Sequence, residues 1–261
     1  LIDVFGGLSV QRLNGKSVIV FGSASGIGAA SALRMAKEGA RVCLADVNLD
    51  GARSVAEQIK GAGGEAIAAP CDISDEASVK AAVDSAVKAF GGLNGAHINA
   101  ADMRVINQDF DALEIDLAVF DRTMSVNLRG HLLCTRAVLP QLLTKGRGSI
   151  VYTSSPASDA GEPTRVGYAV SKAGINALMR HVASRWGAAG ITANCVSPGL
   201  TLTASASAAV GEEFKKAMLA RMANTRLGTP EDQAAMVALL MSEDGDWING
   251  QVIRVDGGPM R

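Results

Sequence analysis

The sequence has no excess of either charge: 25 Lys plus Arg stand against 26 Asp plus Glu, a formal net charge of −1, and no segment gathers the basic residues. The electrostatic footprint of a nucleic-acid binder is therefore missing, and nucleic acid is not an expected partner. Long hydrophobic runs are also missing. None approaches the roughly 20 apolar residues needed to cross a bilayer, so no membrane partner is expected. The opening residues lack a basic start followed by an apolar stretch and a cleavage site, and the expectation is a cytoplasmic protein. Cysteine is sparse and scattered: Cys43, Cys71, Cys134 and Cys195 form no C-x-x-C pair, and Cys43 and Cys195 sit inside apolar runs as buried thiols do. His97, His131 and His181 are equally dispersed, so no metal site is expected.

What remains is an alternation of two patterns. Short, largely β-branched runs at Ser17–Phe21, Arg41–Ala45, Ala66–Ala69, Gly95–Asn99, Ser149–Ser154, Thr192–Val196 and Val252–Val255 predict strands. Between them, apolar residues recur at helical spacing, as in Val79, Val83, Ala86 and Phe90, or Ile175, Leu178, Met179, Val182 and Trp186. Strands alternating with helices predict an α/β fold with a parallel sheet covered on both faces. No Pro- or Gly-rich linker divides the chain, so one domain over residues 1–261 is expected. The stretch 200–227, rich in Ala and Ser and then helical, is expected to be a lid over a site.

The first strand runs into GSASGIG, with Gly22, Gly26 and Gly28, flanked by Ser25 and Ile27. Glycines at this junction allow a tight turn and let backbone N–H groups approach a pyrophosphate at the start of a helix. Asp46, at the end of the second strand, is placed to bond the ribose hydroxyls of NAD and to repel the 2′-phosphate of NADP. Val47 and Asn48 follow it, and no Arg does. NAD(H) is therefore the expected cofactor. Asp72, followed by Ile73, ends the third strand where a carboxylate can accept from the adenine amino group, or start the helix before Glu76.

Tyr168 and Lys172 carry the chemistry. Four residues apart on a helix, they share a face. A phenol titrates near 10, too high for a base at neutral pH, and a cation about 4 Å away at an effective dielectric of about 20 lowers that by roughly three units. Lys172, together with an oxidised nicotinamide, thus brings Tyr168 into working range. Ser155, 13 residues earlier at the end of the fifth strand, can donate to a carbonyl or alkoxide oxygen. Ser154 is the alternative, but successive strand residues face opposite ways. Asn127 lies within a predicted helix, Asp116–Leu143, where an amide is mildly unfavourable unless it has a task. Binding a water that relays protons from Lys172 is such a task.

On GSASGIG, Asp46, Asp72, INAA (98–101), Asn127, the Ser155 segment, YAVSK and SPGLTLT (197–203), in that order and spacing, the chain resembles the short-chain dehydrogenase/reductase family. The resemblance implies a single Rossmann-type, doubly wound domain with a seven-stranded parallel sheet. It implies a tetrad of Asn127, Ser155, Tyr168 and Lys172, with Tyr168 as acid/base and Lys172 also holding the nicotinamide ribose. Asn99 and Ala100 would lie beside the adenosine ribose. The segment after Pro198-Gly199 would contact the carboxamide through Thr201 and Thr203 and then cover the substrate. A homotetramer, or a homodimer, would be the assembly. Phe21, Ile98 and Ala101 depart from the family's usual Thr, Asn and Gly; they touch the scaffold and the cofactor shell, not the tetrad. The expected substrate is a small secondary alcohol or ketone, in a pocket involving Met103, Arg104, Pro156, Asp159 and Leu200, with Arg104 able to meet an acidic group. A non-catalytic dinucleotide-binding regulator and a 3-oxoacyl thioester reductase are the alternatives.

Overall fold

In the computed structural model, which describes residues 11–203 and 211–258, seven strands form one parallel sheet. They are β1 (Ser17–Phe21), β2 (Arg41–Asp46), β3 (Glu65–Pro70), β4 (Gly95–Ile98), β5 (Gly148–Thr153), β6 (Ile191–Pro198) and β7 (Val252–Val255). Their order is β3-β2-β1-β4-β5-β6-β7. Every residue of β1 (SVIVF) and β5 (GSIVYT) is buried, as the near-continuous apolar runs required of strands covered on both faces. The strands match the sequence expectation to within one or two residues at their ends; Asn99 has already left β4, and Ser154 β5, for the loops.

Helices α1 (Gly26–Lys37), α2 (Leu49–Gly61) and α3 (Glu76–Phe90) make the crossovers of the first half. The second half has α4 (Leu117–Thr123), α5 (Gly130–Thr144), α6 (Val166–Trp186), α7 (Glu212–Arg221) and α8 (Pro230–Met241). Side chains of α3, α5 and α6, among them Val83, Leu133, Val138, Ile175 and Met179, pack one sheet face. Those of α1, α2 and α8, including Met35, Val55, Ile59 and Val237, pack the other. Local chemistry sets the helix ends. Asp75 caps α3 by accepting from the Ala77 amide, and Thr229 and Asp232 form a reciprocal capping box around Pro230 at the start of α8.

The single helix expected over Asp116–Leu143 is instead three pieces. Between α4 and α5, residues Met124–Arg129 form a wider turn with i→i+5 bonding. Such turns are rare and gather at functional sites, and Asn127 lies inside this one. After β3 the winding reverses, so β1 and β4 lie side by side and their C-terminal ends open the crevice where open α/β sheets hold ligands. No described helix is long and apolar enough to cross a membrane.

Candidate active site

Gly22 leaves β1 with φ +79°, and a methyl group there would lie 2.6 Å from the Ala100 Cα. At Gly28 the same addition would come within 1.9 Å of the Gly22 carbonyl oxygen. These two glycines press the turn against the end of β4 and seat α1 on it. The α1 N-terminus carries no acidic residue in its first turn, and Ser25, extended before it, makes no side-chain cap. The end of the helix thus carries no side-chain cap from Ser25, an arrangement suited to accept a phosphate. Ile27 lies in that first turn, and Thr203 sits over the loop, 3.1 Å from where a Gly26 methyl would be.

Asp46 ends β2 beside this loop, accepting from Ala24 N at 2.9 Å and from Asn48 N at 2.8 Å, with Val47 exposed between. Asp72 accepts from the backbone and hydroxyl of Ser74 through one oxygen, bonds that hold its carboxyl below the usual range. It does not cap α3, a task Asp75 performs, and Ile73 behind it is core. Asn99 bridges β1 and β5: its amide donates to Gly22 O (2.9 Å) and its oxygen accepts from the Thr153 hydroxyl (3.0 Å), which also meets His97. Burial pushes His97 down to about 3, so this imidazole is neutral. Thr201 is buried, its hydroxyl donating to Gly199 O, beyond Pro198 at the end of β6. Of the expected lid, 204–210 lie outside the described residues; the helical part is α7.

Of the four polar residues of the second half, Ser155, Tyr168 and Lys172 come together, and Asn127 lies in the wider turn that packs on α6. Ser154 turns away, donating to Asn176 on α6, whereas Ser155 reaches the Tyr168 phenol. Lys172 lies over the Tyr168 ring, 5.5 Å from its centroid, and donates to Thr153 O at 2.8 Å. That differs from an ammonium directly beside the phenol oxygen. Burial holds the Tyr168 phenol above its ordinary value, while Ser155 and the charge of Arg165 pull it down and Glu162 pushes it up. Burial also brings Lys172 down to about 8. Asn127 is fully buried; its oxygen accepts from Asp102 N at 2.8 Å, and its amide nitrogen has no partner among the described residues. A buried donor left so is costly and invites a water or ligand acceptor.

Two sequence readings change. Arg104 is not a free cation: its guanidinium forks onto the buried Asp102 carboxylate (2.6 and 2.8 Å), which Arg122 also meets at 2.9 Å. Asp159 is paired with Arg254 at 2.5 Å. Missed altogether were Asp102 and Thr153, which touch the site through their own backbone atoms, and Asp109, whose carboxylate meets the backbone N–H groups of Gly167 and Tyr168. The one available signal was the absence of a capping residue before α6, where Arg165 stands.

A family model described as enoyl-(acyl carrier protein) reductase matches residues 22–259. A probable short-chain type dehydrogenase/reductase of Bradyrhizobium diazoefficiens is 40% identical over 95% of this chain and 88% of its own. A cis-4-hydroxycyclohexanecarboxylate dehydrogenase of Sinomonas cyclohexanicum is 35% identical over 92% of this chain and 94% of its own. Among solved structures, a 7α-hydroxysteroid dehydrogenase complexed with NADH and 7-oxoglycochenodeoxycholic acid superposes with a TM-score of 0.90 at 30% identity, covering 97% of both chains.

Proposed function

Because the chain belongs to the short-chain dehydrogenase/reductase family of oxidoreductases, we propose that it moves a hydride between NAD(H) and a secondary alcohol or ketone. The observation that carries this reading is the meeting of Ser155, Tyr168 and Lys172 at the sheet edge that also bears the glycine turn.

The cradle suits a dinucleotide: two glycines where a methyl group would collide, uncapped N–H groups on α1, and an acidic side chain on the neighbouring strand. Gly22, Ser25, Gly26, Ile27 and Gly28 would hold the pyrophosphate end. Asp46 and Val47 would hold the adenosine ribose, Asp72 and Ile73 the adenine, and Asn99 and Ala100 the wall between. Tyr168, Lys172, Pro198, Gly199, Thr201 and Thr203 would hold the nicotinamide end. The carboxylate of Asp46 favours NAD over NADP by charge. The bound nicotinamide supplies the hydride acceptor or donor.

The chain's own groups manage the proton. Tyr168 takes the hydroxyl proton of an alcohol, or returns one to a ketone oxygen, while the Ser155 hydroxyl donates to that same oxygen as charge builds on it. Lys172, a cation below about pH 8 and lying over the Tyr168 ring, would offer its charge to the phenolate. The unpartnered Asn127 amide holds the water through which Lys172 exchanges protons with solvent. Of the expected lid, the described residues 200–203 and 211–227 would lie over the substrate, within a single domain. The exposed apolar side chains Leu117 and Leu132 of α4 and α5 support assembly as a homotetramer or homodimer.

The test is reduction of NAD and NADP by purified protein against a broad panel of secondary alcohols. Turnover is expected with NAD, and Tyr168→Phe is expected to lower kcat by about 10²–10⁴. Full activity in that variant removes Tyr168 as the base. Tight NAD binding with no turnover on any substrate favours the regulator instead.

A further inference from the structure

Helix α6, which carries Tyr168 and Lys172, begins on a residue ill suited to start it. Arg165 has φ +64°, the one positive value among described non-glycine residues, and gives the first turn no side-chain cap. A non-glycine residue there is strained by about 1–3 kcal/mol and persists only when its surroundings impose it. What imposes it lies 56 residues earlier. Asp109 accepts from Gly167 N at 3.0 Å through one carboxylate oxygen and from Tyr168 N at 2.7 Å through the other. Its main-chain oxygen accepts from Arg165 N (2.8 Å), and that of Phe110 accepts from Val166 N (3.3 Å). Four consecutive amides, 165–168, are thereby anchored on two consecutive residues. Asp109 is 2% exposed, so these bonds work in a low-dielectric setting with little competition from water. The fit is close: a methyl group on Gly167 would lie 3.3 and 3.4 Å from the two carboxylate oxygens.

Resting on the acid/base reading of Tyr168, we propose that Asp109 is a positioning residue that sets the height and direction of the Tyr168 phenol by clamping its backbone amide. The carboxylate meets the positive end of α6, where an anion is stabilising, and spends both oxygens on successive N–H groups. Rotation of this first turn carries the phenol away from Ser155, the group that pulls its proton affinity down. Asp109 thereby acts on the chemistry without touching substrate or cofactor.

The experiment compares the parent with Asp109→Asn and Asp109→Ala in NAD-linked alcohol oxidation, recording kcat, KM and the pH dependence of kcat. A misplacement of about 1 Å costs on the order of 10²-fold in rate. Asp109→Ala is therefore expected to lower kcat by about 30–100-fold with KM within about twofold, and to move the pH limb of kcat upward. Asp109→Asn keeps one accepting oxygen and is expected to fall between. A kcat within twofold of the parent, or a loss of kcat with the pH limb unmoved, overturns the proposal. Should the parent turn over no alcohol at all, the redox reading fails, while the clamp is still read by amide exchange. Gly167 and Tyr168 N–H groups exchanging faster in Asp109→Asn than in the parent, relative to the rest of α6, supports it; equal protection overturns it.

Discussion

Replacing Lys172 by Met is expected to stabilise this protein at neutral pH while disabling it. Lys172 is 2% exposed, and its one described hydrogen bond goes to the Thr153 carbonyl. An ammonium that ordinarily titrates at 10.5 and here at about 8 carries a charge whose burial costs about 3 kcal/mol, at about 1.4 kcal/mol per pH unit. Methionine fills similar volume without charge, but leaves the Thr153 carbonyl unpaired, which costs about 1–2 kcal/mol. The net gain is about 1–2 kcal/mol, or roughly 2–4 °C in Tm for a chain of this size. The pH dependence gives the sharper check. Between about pH 8 and 10.5 the unfolded parent binds more protons than the folded one, so parent stability rises with pH through that window. Below pH 8 the penalty is fully present, and above 10.5 it is gone. The advantage of Lys172→Met, followed by thermal melts, must be largest at pH 7 and shrink to nothing or reverse by pH 10.5. A variant less stable at pH 7, or an advantage equal at both ends, refutes this account of the buried cation. Its turnover is expected to fall by at least about 10²-fold.

Asp46→Ala is expected to reduce the kcat/KM ratio for NAD over NADP by about tenfold or more, the worth of losing a charge-assisted bond and a repulsion. Unchanged discrimination removes Asp46 from the ribose site. Gly28→Ala is expected to weaken NAD binding by more than about 100-fold in titration calorimetry, because its methyl group lands 1.9 Å from the Gly22 carbonyl oxygen and forces the turn open. Parent-like affinity there dissociates the glycine turn from the dinucleotide.

The sequence spoke clearly where causes are local. The β1 and β5 runs are apolar throughout because both sheet faces cover them, and the eventual strands differ from the expected ones by little more than end residues. Gly22 through Gly28, Asp46 and the Tyr168–Lys172 spacing were equally legible, since each reflects a turn, a strand end or one helix face. Met124–Arg129 was not: the segment has the periodicity of a helix and contains neither Gly nor Pro, so nothing local announces the wider turn around Asn127. Arg104 read as a free surface cation because the carboxylate that binds it owes its burial to the fold, not to its neighbours in sequence. Asp109 was illegible for the same reason. Its partners are main-chain N–H groups 58 and 59 residues away, and any residue except proline supplies those.

These illegible features belong to one stretch of chain, the loop that follows β4. At its start, Asp102 is locked by Arg104 and Arg122, and its backbone N–H fixes the oxygen of Asn127, turning the unpartnered amide nitrogen in the direction left to it. Seven residues later Asp109 fixes the first turn of α6. Asn127 and Tyr168 sit on different helices and share no hydrogen bond, yet both are referenced to this loop. The two guanidiniums hold the Asp102 carboxyl well below its usual range, so it stays ionised through any pH at which the protein works. A loop, rather than a strand or helix, is thus the part here held by buried carboxylates, and that is physically coherent. In the proposed reaction, the group that holds a water and the group that moves a proton must keep a fixed separation. Two helices packed through side chains can slide by fractions of an ångström, whereas hydrogen bonds to one loop, from the Asp102 N–H to Asn127 and from the Gly167 and Tyr168 N–H groups to the Asp109 carboxylate, tie each of them to a common frame.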